Sequence, residues 1–173
     1  RQTTVRIGND DADENPYTFA IQGTGTVTPT APEIDVRGND LSILNGDNLP
    51  GTADGSDFGG APVAGGMVQH TFTIHNTGDA ALNLTGNPVV AIVGGQAGDF
   101  WVVAQPGTQV AAGESLSFTV AFAPQAAGLR QAVVIIANND ADENPYTFAI
   151  QGTGMAAPPP ARLFLPLVLR PMP

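Results

Sequence analysis

Apolar and polar residues alternate along several short stretches of this chain, with the period of two that is typical of half-buried β-strands. The clearest examples are residues 68–76 and 115–122. In the second stretch, the positions predicted to face inward are Leu116, Phe118, Val120 and Phe122. Shorter apolar stretches predict further strands at residues 33–37, 82–84, 89–93, 100–105, 131–137 and 146–151.

Turn signals separate these stretches. Glycine-containing turns are indicated at residues 45–46, 76–79, 94–95 and 112–114, and no stretch has the pattern of an amphipathic helix. Short alternating strands divided by frequent turns are typical of a sandwich of two antiparallel sheets. The pattern therefore predicts an all-β fold, an immunoglobulin-like seven-stranded β-sandwich.

An internal repeat sets the predicted domain organisation. Residues 1–25 and 130–154 are 129 positions apart and identical at 20 of 25 positions. An offset of this size is about one domain, so the first copy is read as the terminal β-hairpin of a partial preceding repeat. The predicted divisions are a hairpin at 1–25, a linker at 26–31, the sandwich at 32–154, and a proline-rich spacer with an apolar C-terminal segment at 155–173.

The two ends of the chain carry apolar residues that need a covering surface, because an isolated hairpin is marginally stable in water. Three interpretations of the hairpin stay open. It is the remainder of a preceding domain, it docks on another subunit by β-augmentation, or it packs on its own chain. The apolar tail packs on its own domain, binds a neighbouring subunit or acts as an anchoring signal. The predicted subunit contacts are Val5, Ile7, Phe19, Ile21, Leu163, Phe164, Leu165, Leu167, Val168 and Leu169.

Charge and cysteine content exclude several classes of function. The net charge is −10, from 16 acidic residues and 6 arginines, and lysine is absent. A nucleic-acid partner is therefore not expected, since binding requires a basic patch that displaces counterions. The absence of cysteine excludes disulfides, zinc thiolate sites and thiol nucleophiles. No apolar run approaches the roughly 20 residues that a transmembrane helix needs.

Two copies of an acidic loop are the main candidates for metal binding. Alternating oxygen ligands, as a hard cation such as calcium prefers, are offered by Asp140, Asp142 and Asn144 and by Asp11, Asp13 and Asn15. The alternative is a hairpin turn in which these side chains cap nearby backbone N–H groups, and this turn interpretation is favoured. A second acidic loop at residues 47–57, with Asp54 and Asp57, is likewise interpreted as turn chemistry. No other cofactor is predicted.

The remaining polar and aromatic residues favour a protein without catalytic activity. His70 and His75 lie on opposite faces of one strand, so they cannot jointly hold a metal ion. No serine, histidine and acid occur in a recognisable catalytic motif, and the short loops leave little room for a substrate cleft. Trp101, the only tryptophan, is predicted to fill the core.

Four motifs together carry a family resemblance. They are PEIDVRG at 32–38, TFTIHNTGDAALNL at 71–84, SFTVAFAPQAAGLR at 117–130 and IANNDADENPYTFAIQGTG at 136–154. The chain resembles the hydin-like (ASH-type) immunoglobulin-like domains of bacterial choice-of-anchor D surface proteins. This resemblance implies a seven-stranded β-sandwich, secretion, tandem repetition and a variable C-terminal attachment segment, with no catalytic residues.

The expected function is accordingly structural. We expect a subunit or module of an extracellular or cell-surface assembly, a homopolymeric filament joined by strand exchange or docking between subunits. Two alternatives stay open. One is an adhesin-like module that binds a glycan or a protein, and the other is a passive spacer in a larger surface protein.

Overall fold

The computed structural model describes residues 2–24, 30–63 and 65–156. The chain divides between Thr30 and Ala31 into two compact units. In the first unit, β1 (Gln2–Ile7) and β2 (Tyr17–Gln22) form an antiparallel hairpin. The residues named as contacts in the apolar tail, Leu163, Phe164, Leu165, Leu167, Val168 and Leu169, lie outside the described residues.

The second unit is a β-sandwich with one short 3₁₀ turn at Ala97–Asp99. Its strands are β3 (Ile34–Gly38), β4 (Leu41–Ile43), β5 (Asp57–Pro62), β6 (Val68–Asn76), β7 (Leu82–Asn83), β8 (Val90–Val93), β9 (Phe100–Ala104), β10 (Gln109–Val110), β11 (Ser115–Phe122), β12 (Gly128–Ile136) and β13 (Tyr146–Met155). None of the described segments forms a helix with the length and hydrophobicity that a bilayer crossing needs.

Two sheets make up the sandwich. One has the order β4-β3-β6-β11-β9, the other has the order β5-β13-β12-β8, and β7 and β10 form a small separate pair. All strand pairs are antiparallel except β5 with β13, which is parallel. The C-terminal hairpin β12–β13 therefore occupies the centre of its sheet, between β5 and β8.

The core lies between the two sheets and is built from the inward positions of the alternating strands. Phenylalanine rings form its centre: Phe72 stacks on Phe118 at a centroid distance of 5.5 Å, and Phe100 stacks on Phe122 at 4.8 Å. Phe148 of β13 tilts against Phe72 at 5.5 Å and so joins the two sheets. Aromatic pairs in these geometries add to the stabilisation that area burial alone provides.

The all-β sandwich predicted from the sequence is confirmed, and the bounds predicted for β6 and β11 are those observed. The number of seven strands is not confirmed, because the described part of the second unit has eleven. Sequence reasoning missed β4, β5 and β10. β5 (DFGGAP) contains two glycines and a proline and has no alternation, while β4 and β10 are only 3 and 2 residues long.

Trp101 does not fill the core, so that prediction was wrong. Its side chain is 43% exposed, because β9 alternates with Phe100 and Val102 facing the core. Trp101 pairs with Ala121 of β11 in the ladder and therefore lies on the outer face of the five-stranded sheet. The cause is the strand phase, which places an aromatic residue on the solvent side.

One buried ion pair ties the start of β9 to β12. Asp99 is 1% exposed, and its carboxylate accepts hydrogen bonds from the Arg130 guanidinium and, at 3.0 Å, from the backbone N–H of Gln125. The Asp99 carbonyl also accepts the N–H of Ala123 at 2.9 Å. These bonds hold the 3₁₀ turn against the loop between β11 and β12.

A glycine in β13 allows the two sheets to approach each other. A Cβ added at Gly152 would lie 2.4–2.7 Å from three ring atoms of Phe122, which is fully buried. We expect Gly152→Ala to lower the free energy of unfolding by about 1–3 kcal/mol, since overpacking forces core side chains to shift. Urea denaturation measures this change.

Gly95→Ala is the matched control, because a Cβ at Gly95 meets no atom within 4 Å. It is expected to change the free energy of unfolding by less than about 0.5 kcal/mol. Equal effects of the two substitutions would contradict the close packing inferred at Gly152.

Candidate functional site

The acidic loop between β12 and β13 is organised around Asn138. The Asn138 carboxamide donates hydrogen bonds to the carbonyls of Glu143 at 3.0 Å and Ile136 at 3.2 Å, and its oxygen accepts the N–H of Asp140 at 2.7 Å. The backbone N–H of Asn138 donates to Asn144 Oδ1 at 3.1 Å. Side chains in this loop therefore satisfy its backbone groups, as Asx residues do in tight turns.

Asp140 connects this loop to the first strand of the sandwich. Its side chain is 3% exposed, and Oδ2 accepts the N–H of Ile34 in β3 at 2.9 Å. This contact places Asp140 and Asp142 beside Glu33, with one carboxylate oxygen from each of the three within 4.8 Å of the others. Three negative groups at this spacing repel one another unless a proton or a cation is shared between them.

Desolvation, followed by repulsion from nearby carboxylates, raises the pKa of two neighbouring glutamates. Desolvation raises the pKa of Glu33, and the charges of Asp140 and Asp142 raise it further. Desolvation likewise raises the pKa of Glu143, with added repulsion from Glu33, Asp140, Asp142 and Asp35. Both groups are partly exposed, so solvent screens much of this repulsion.

The structure brings together only some of the residues predicted to hold calcium. Asp140 and Asp142 are neighbours, whereas the oxygen of Asn144 serves the turn. Glu33 was not predicted, because it precedes β3 and lies more than 100 positions from the loop, with no local motif linking the two. Calcium binding at this cluster stays a prediction.

The first copy of the acidic loop repeats the same internal bonds. Asn15 Oδ1 accepts the N–H of Asn9 at 3.2 Å, and Asn9 Oδ1 accepts the N–H of Asp11 at 2.8 Å. Hydrogen bonding with Asp13 lowers the pKa of Asp11. All of these side chains are exposed. The loop therefore has the same internal geometry in both units.

The other polar candidates have structural partners. Asp54 Oδ1 accepts the N–H of Ser56 at 2.9 Å, and Asp57 Oδ1 accepts the N–H of Gly59 at 2.8 Å. His70 Nδ1 lies 2.6 Å from the carbonyl of Gly55, and its ring stacks on Phe58. His75 lies on the opposite face of β6, as predicted from the alternation.

The hairpin of the first unit displays an apolar face. Its register pairs Val5 with Phe19 and Ile7 with Tyr17, so these four side chains lie on one side. The exposed fractions are 48% for Ile7, 51% for Tyr17, 43% for Phe19 and 45% for Ile21. In the sandwich, the same register pairs Val134 with Phe148 and Ile136 with Tyr146. The equivalent residues there are at most 2% exposed: Ile136, Tyr146, Phe148 and Ile150.

Comparison with protein families gives a match over residues 52–153 to the model described as HYDIN/CFA65/VesB-like, Ig-like domain. Comparison with curated proteins gives no match. Among solved structures, a protein of unknown function from Porphyromonas gingivalis W83 is similar, with a TM-score of 0.52 and 13% identity over 88% of this chain and 66% of that one. This likeness concerns the fold.

Two further structures are similar at lower TM-scores. The Vibrio cholerae VesB protease has a TM-score of 0.45 and 21% identity over 71% of this chain and 32% of that one. The ASH/PapD-like domain 7 of human CEP192 has a TM-score of 0.47 and 12% identity, over 80% of this chain and 96% of that one. This chain thus spans about two thirds of the Porphyromonas protein and about one third of VesB.

The raised pKa values of Glu33 and Glu143 predict a pH dependence of stability. A carboxyl whose pKa is higher in the folded state than its ordinary value of 4.5 binds more protons when folded. The contribution of these two groups to stability is therefore fully present below pH 4.5 and is lost as the pH rises through the raised pKa. We expect the double variant Glu33→Gln, Glu143→Gln to melt above wild type at pH 7 and to match it below pH 4.5.

Melting temperatures measured by circular dichroism between pH 3.5 and 8 test this. Asp40→Asn is the control, because Asp40 lies in the turn after β3 at the far end of that strand from Glu33. An equal melting temperature of wild type and the double variant at pH 7 would show that ionised Glu33 and Glu143 do not lower the stability of the fold.

The turn interpretation of the acidic loops makes a separate prediction for calcium. We expect millimolar calcium chloride to leave the melting temperature of the wild type unchanged, since the side-chain oxygens of Asp140 and Asn144 already accept backbone hydrogen bonds. A rise in melting temperature that Glu33→Gln abolishes would instead establish a cation held by Glu33, Asp140 and Asp142.

Proposed function

We propose a structural, joining function for this chain, which belongs to the HYDIN/CFA65/VesB-like Ig-like domain family. In this proposal the chain is a module of an extracellular assembly, and its N-terminal hairpin completes the β-sandwich of a neighbouring module. The hydin-like character predicted from the sequence motifs agrees with the family match. We propose no catalytic activity for this chain.

One observation carries the proposal: the apolar face of the hairpin is a copy of a face that is buried in the sandwich. Val5, Ile7, Tyr17, Phe19 and Ile21 have identical counterparts 129 positions later. The backbone register of the two hairpins is also the same. A surface that buries β12–β13 therefore has the shape and the hydrogen-bonding edges to receive β1–β2.

Burial of the hairpin face supplies part of the free energy of association. Burying the exposed halves of Ile7, Tyr17, Phe19 and Ile21 contributes about 4 kcal/mol in total. Pairing of the two free hairpin edges with neighbouring strands adds hydrogen bonds that supply register and specificity. Unburied, the same face is an aggregation hazard, since two exposed edges flank it.

The geometry of such joining favours a linear assembly. A hairpin at one end of a module that enters the sandwich of the next makes a heterologous contact, and contacts of this kind build open filaments unless a rotation closes them. The receiving position is the one that β12–β13 occupies, between β5 and β8. The receiving sandwich belongs to another subunit, whose own closing hairpin is exchanged in turn.

The assembly is placed outside the cell because the sequence motifs resemble those of secreted surface proteins. The high acidic charge, −10 without any lysine, also suits a subunit that must stay soluble before it joins a neighbour.

Substitution of one hairpin residue tests the proposal. We expect the wild type to self-associate with rising concentration, and Phe19→Asp to raise the concentration at half-association by more than about tenfold, because a charge replaces buried apolar surface. Analytical ultracentrifugation and negative-stain electron microscopy measure association and filaments. Thr18→Asp is the matched control, since Thr18 pairs with Arg6 on the opposite face.

A glycine substitution distinguishes insertion of the hairpin into a sandwich from nonspecific association. Gly23 corresponds to Gly152, whose Cα faces the ring of Phe122, whereas a Cβ built at Gly23 meets no atom within 4 Å. Gly23→Val is expected to block association only if the hairpin enters the position of β12–β13. A wild-type chain that stays monomeric at all concentrations, or filaments unaffected by Phe19→Asp, would refute the joining function.

A further inference from the structure

The two hairpins of this chain differ on one side only. Residues 11–25 are identical to residues 140–154, so β2 repeats β13 without change. All differences lie in β1 and at the start of the loop that follows it. With the residue of the second copy given after each, they are Thr3 for Ala132, Thr4 for Val133, Arg6 for Ile135, Gly8 for Ala137 and Asp10 for Asn139. In the sandwich this side of the hairpin faces β8 and β7.

The side that faces β5 keeps every contact group. In the sandwich, Gln151 Nε2 donates a hydrogen bond to Asp57 Oδ2 at 2.8 Å, and the equivalent residue of β2 is Gln22. The Tyr146 hydroxyl donates to a carbonyl at the end of β4, and its equivalent is Tyr17. The β2 edge of the hairpin can therefore make the same bonds to a receiving sandwich as β13 does.

Asn139 connects the acidic loop to β7. Its Oδ1 accepts the N–H of Asn83 at 2.6 Å, and its Nδ2 donates to the carbonyl of Ala81 at 3.3 Å. The bonds that form the turn are made instead by Asn138 and Asn144. The carboxamide of Asn139 thus serves a contact between elements, in which it is donor and acceptor at once.

Asp10 lacks the donor that this contact needs. Among the described residues of the hairpin, the loop bonds are made by Asn9, Asp11 and Asn15, so the turn does not require an aspartate at position 10. An ionised carboxylate has acceptors only. In the position of Asn139, one oxygen would keep the bond from the Asn83 N–H. The other would lie against the Ala81 carbonyl with no proton between them, which costs free energy.

The charge of Asp10 also enters an acidic environment. In a receiving sandwich, Asp10 lies next to Asp11, which takes the place of Asp140. The carboxylate oxygens of Asp140, Asp142 and Glu33 already lie within 4.8 Å of one another. A further negative charge beside these three raises the free energy of the joined state.

A second difference affects the core. Ala132 is 4% exposed and pairs with Ile150 in the ladder. Thr3, at the equivalent position, brings a hydroxyl and an extra methyl group to a space that holds one methyl group. A buried hydroxyl costs free energy unless it finds a partner, and added volume forces its neighbours to shift. Thr3 and Asp10 therefore act in the same direction.

We propose that Asp10 and Thr3 make the joining hairpin, β1–β2, the weaker of two occupants of one position, and that Asn139 helps to retain the closing hairpin, β12–β13. This inference rests on the joining function proposed above. The described part of the chain supplies two hairpins and one position for them, between β5 and β8. The hairpins compete for it, so the difference between them sets the concentration at which subunits join.

Exchange of residues between the copies tests this in the full-length protein. Asp10→Asn with Thr3→Ala gives the joining hairpin the residues of the closing one. We expect the concentration at half-association to fall about three- to tenfold, as one regained hydrogen bond implies. Analytical ultracentrifugation measures it. Asp40→Asn is the control, because it removes one negative charge from an exposed turn outside both hairpins, and it should leave association unchanged.

The closing hairpin provides a measurement that does not depend on assembly. In dilute protein at pH 7, we expect Asn139→Asp to lower the melting temperature by about 2–6 °C, measured by circular dichroism. Asn48→Asp is the matched control, because it adds the same charge at an exposed side chain of the loop before β5. It should change the melting temperature by less than about 1 °C.

The outcomes distinguish this inference from the joining function. Association that Phe19→Asp weakens, but that Asp10→Asn with Thr3→Ala leaves unchanged, would overturn the inference and leave the joining function intact. Equal melting temperatures of Asn139→Asp and Asn48→Asp would also overturn it, whether or not the protein associates. Wild type and exchange variant that both stay monomeric at all concentrations would overturn the joining function and this inference together.

Discussion

The fold depends on covering one apolar face, that of the closing hairpin β12–β13. Tyr146, Phe148 and Ile150 are buried because β5 and β8 flank this hairpin and the five-stranded sheet lies across it. Gly152 permits that sheet to approach closely, and Asp99 with Arg130 fixes the loop that joins the sheets. The same amino acids in the first unit have none of this cover within the hairpin itself. The same apolar residues are therefore buried in the sandwich and exposed in the hairpin. This difference raises the question of which surface covers the hairpin.

Local and tertiary interactions can be separated by comparing the two copies of the acidic loop. Three bonds centred on Asn9 recur on Asn138, so the loop can form from its own sequence. The bond from Ile34 to Asp140 exists only where β3 is present. The primary role of the polar residues of this loop is therefore to form the turn. Their proximity to Glu33 is a consequence of closing the sandwich, and the pKa of Glu33 is raised first by desolvation and then by the charges of Asp140 and Asp142.

Much of the fold could be predicted because burial imposes a period of two on the long strands. β6 and most of β11 are buried mainly on one face, so their sequences alternate and their bounds could be predicted. Ala121 is the exception, since it is buried on the outer face. β5 was not predicted because its sequence, DFGGAP, does not alternate. Its strand conformation depends on parallel pairing with β13. Trp101 was misplaced because large apolar residues are usually buried, and composition alone does not give the strand phase. Glu33 was missed because the contact that matters joins residues far apart in the chain.

A sandwich made of open sheets leaves two kinds of surface, faces and edges. β9 is an edge of the five-stranded sheet, and it carries no charged residue. Its pairing with β11 contains a register shift, and Pro106 follows it closely, so pairing with a further strand is interrupted without charge. The hairpin has no such protection. It presents an apolar face and requires a partner that supplies the remaining strands, so the face of the hairpin, and not an edge of the sandwich, is the surface that calls for a partner.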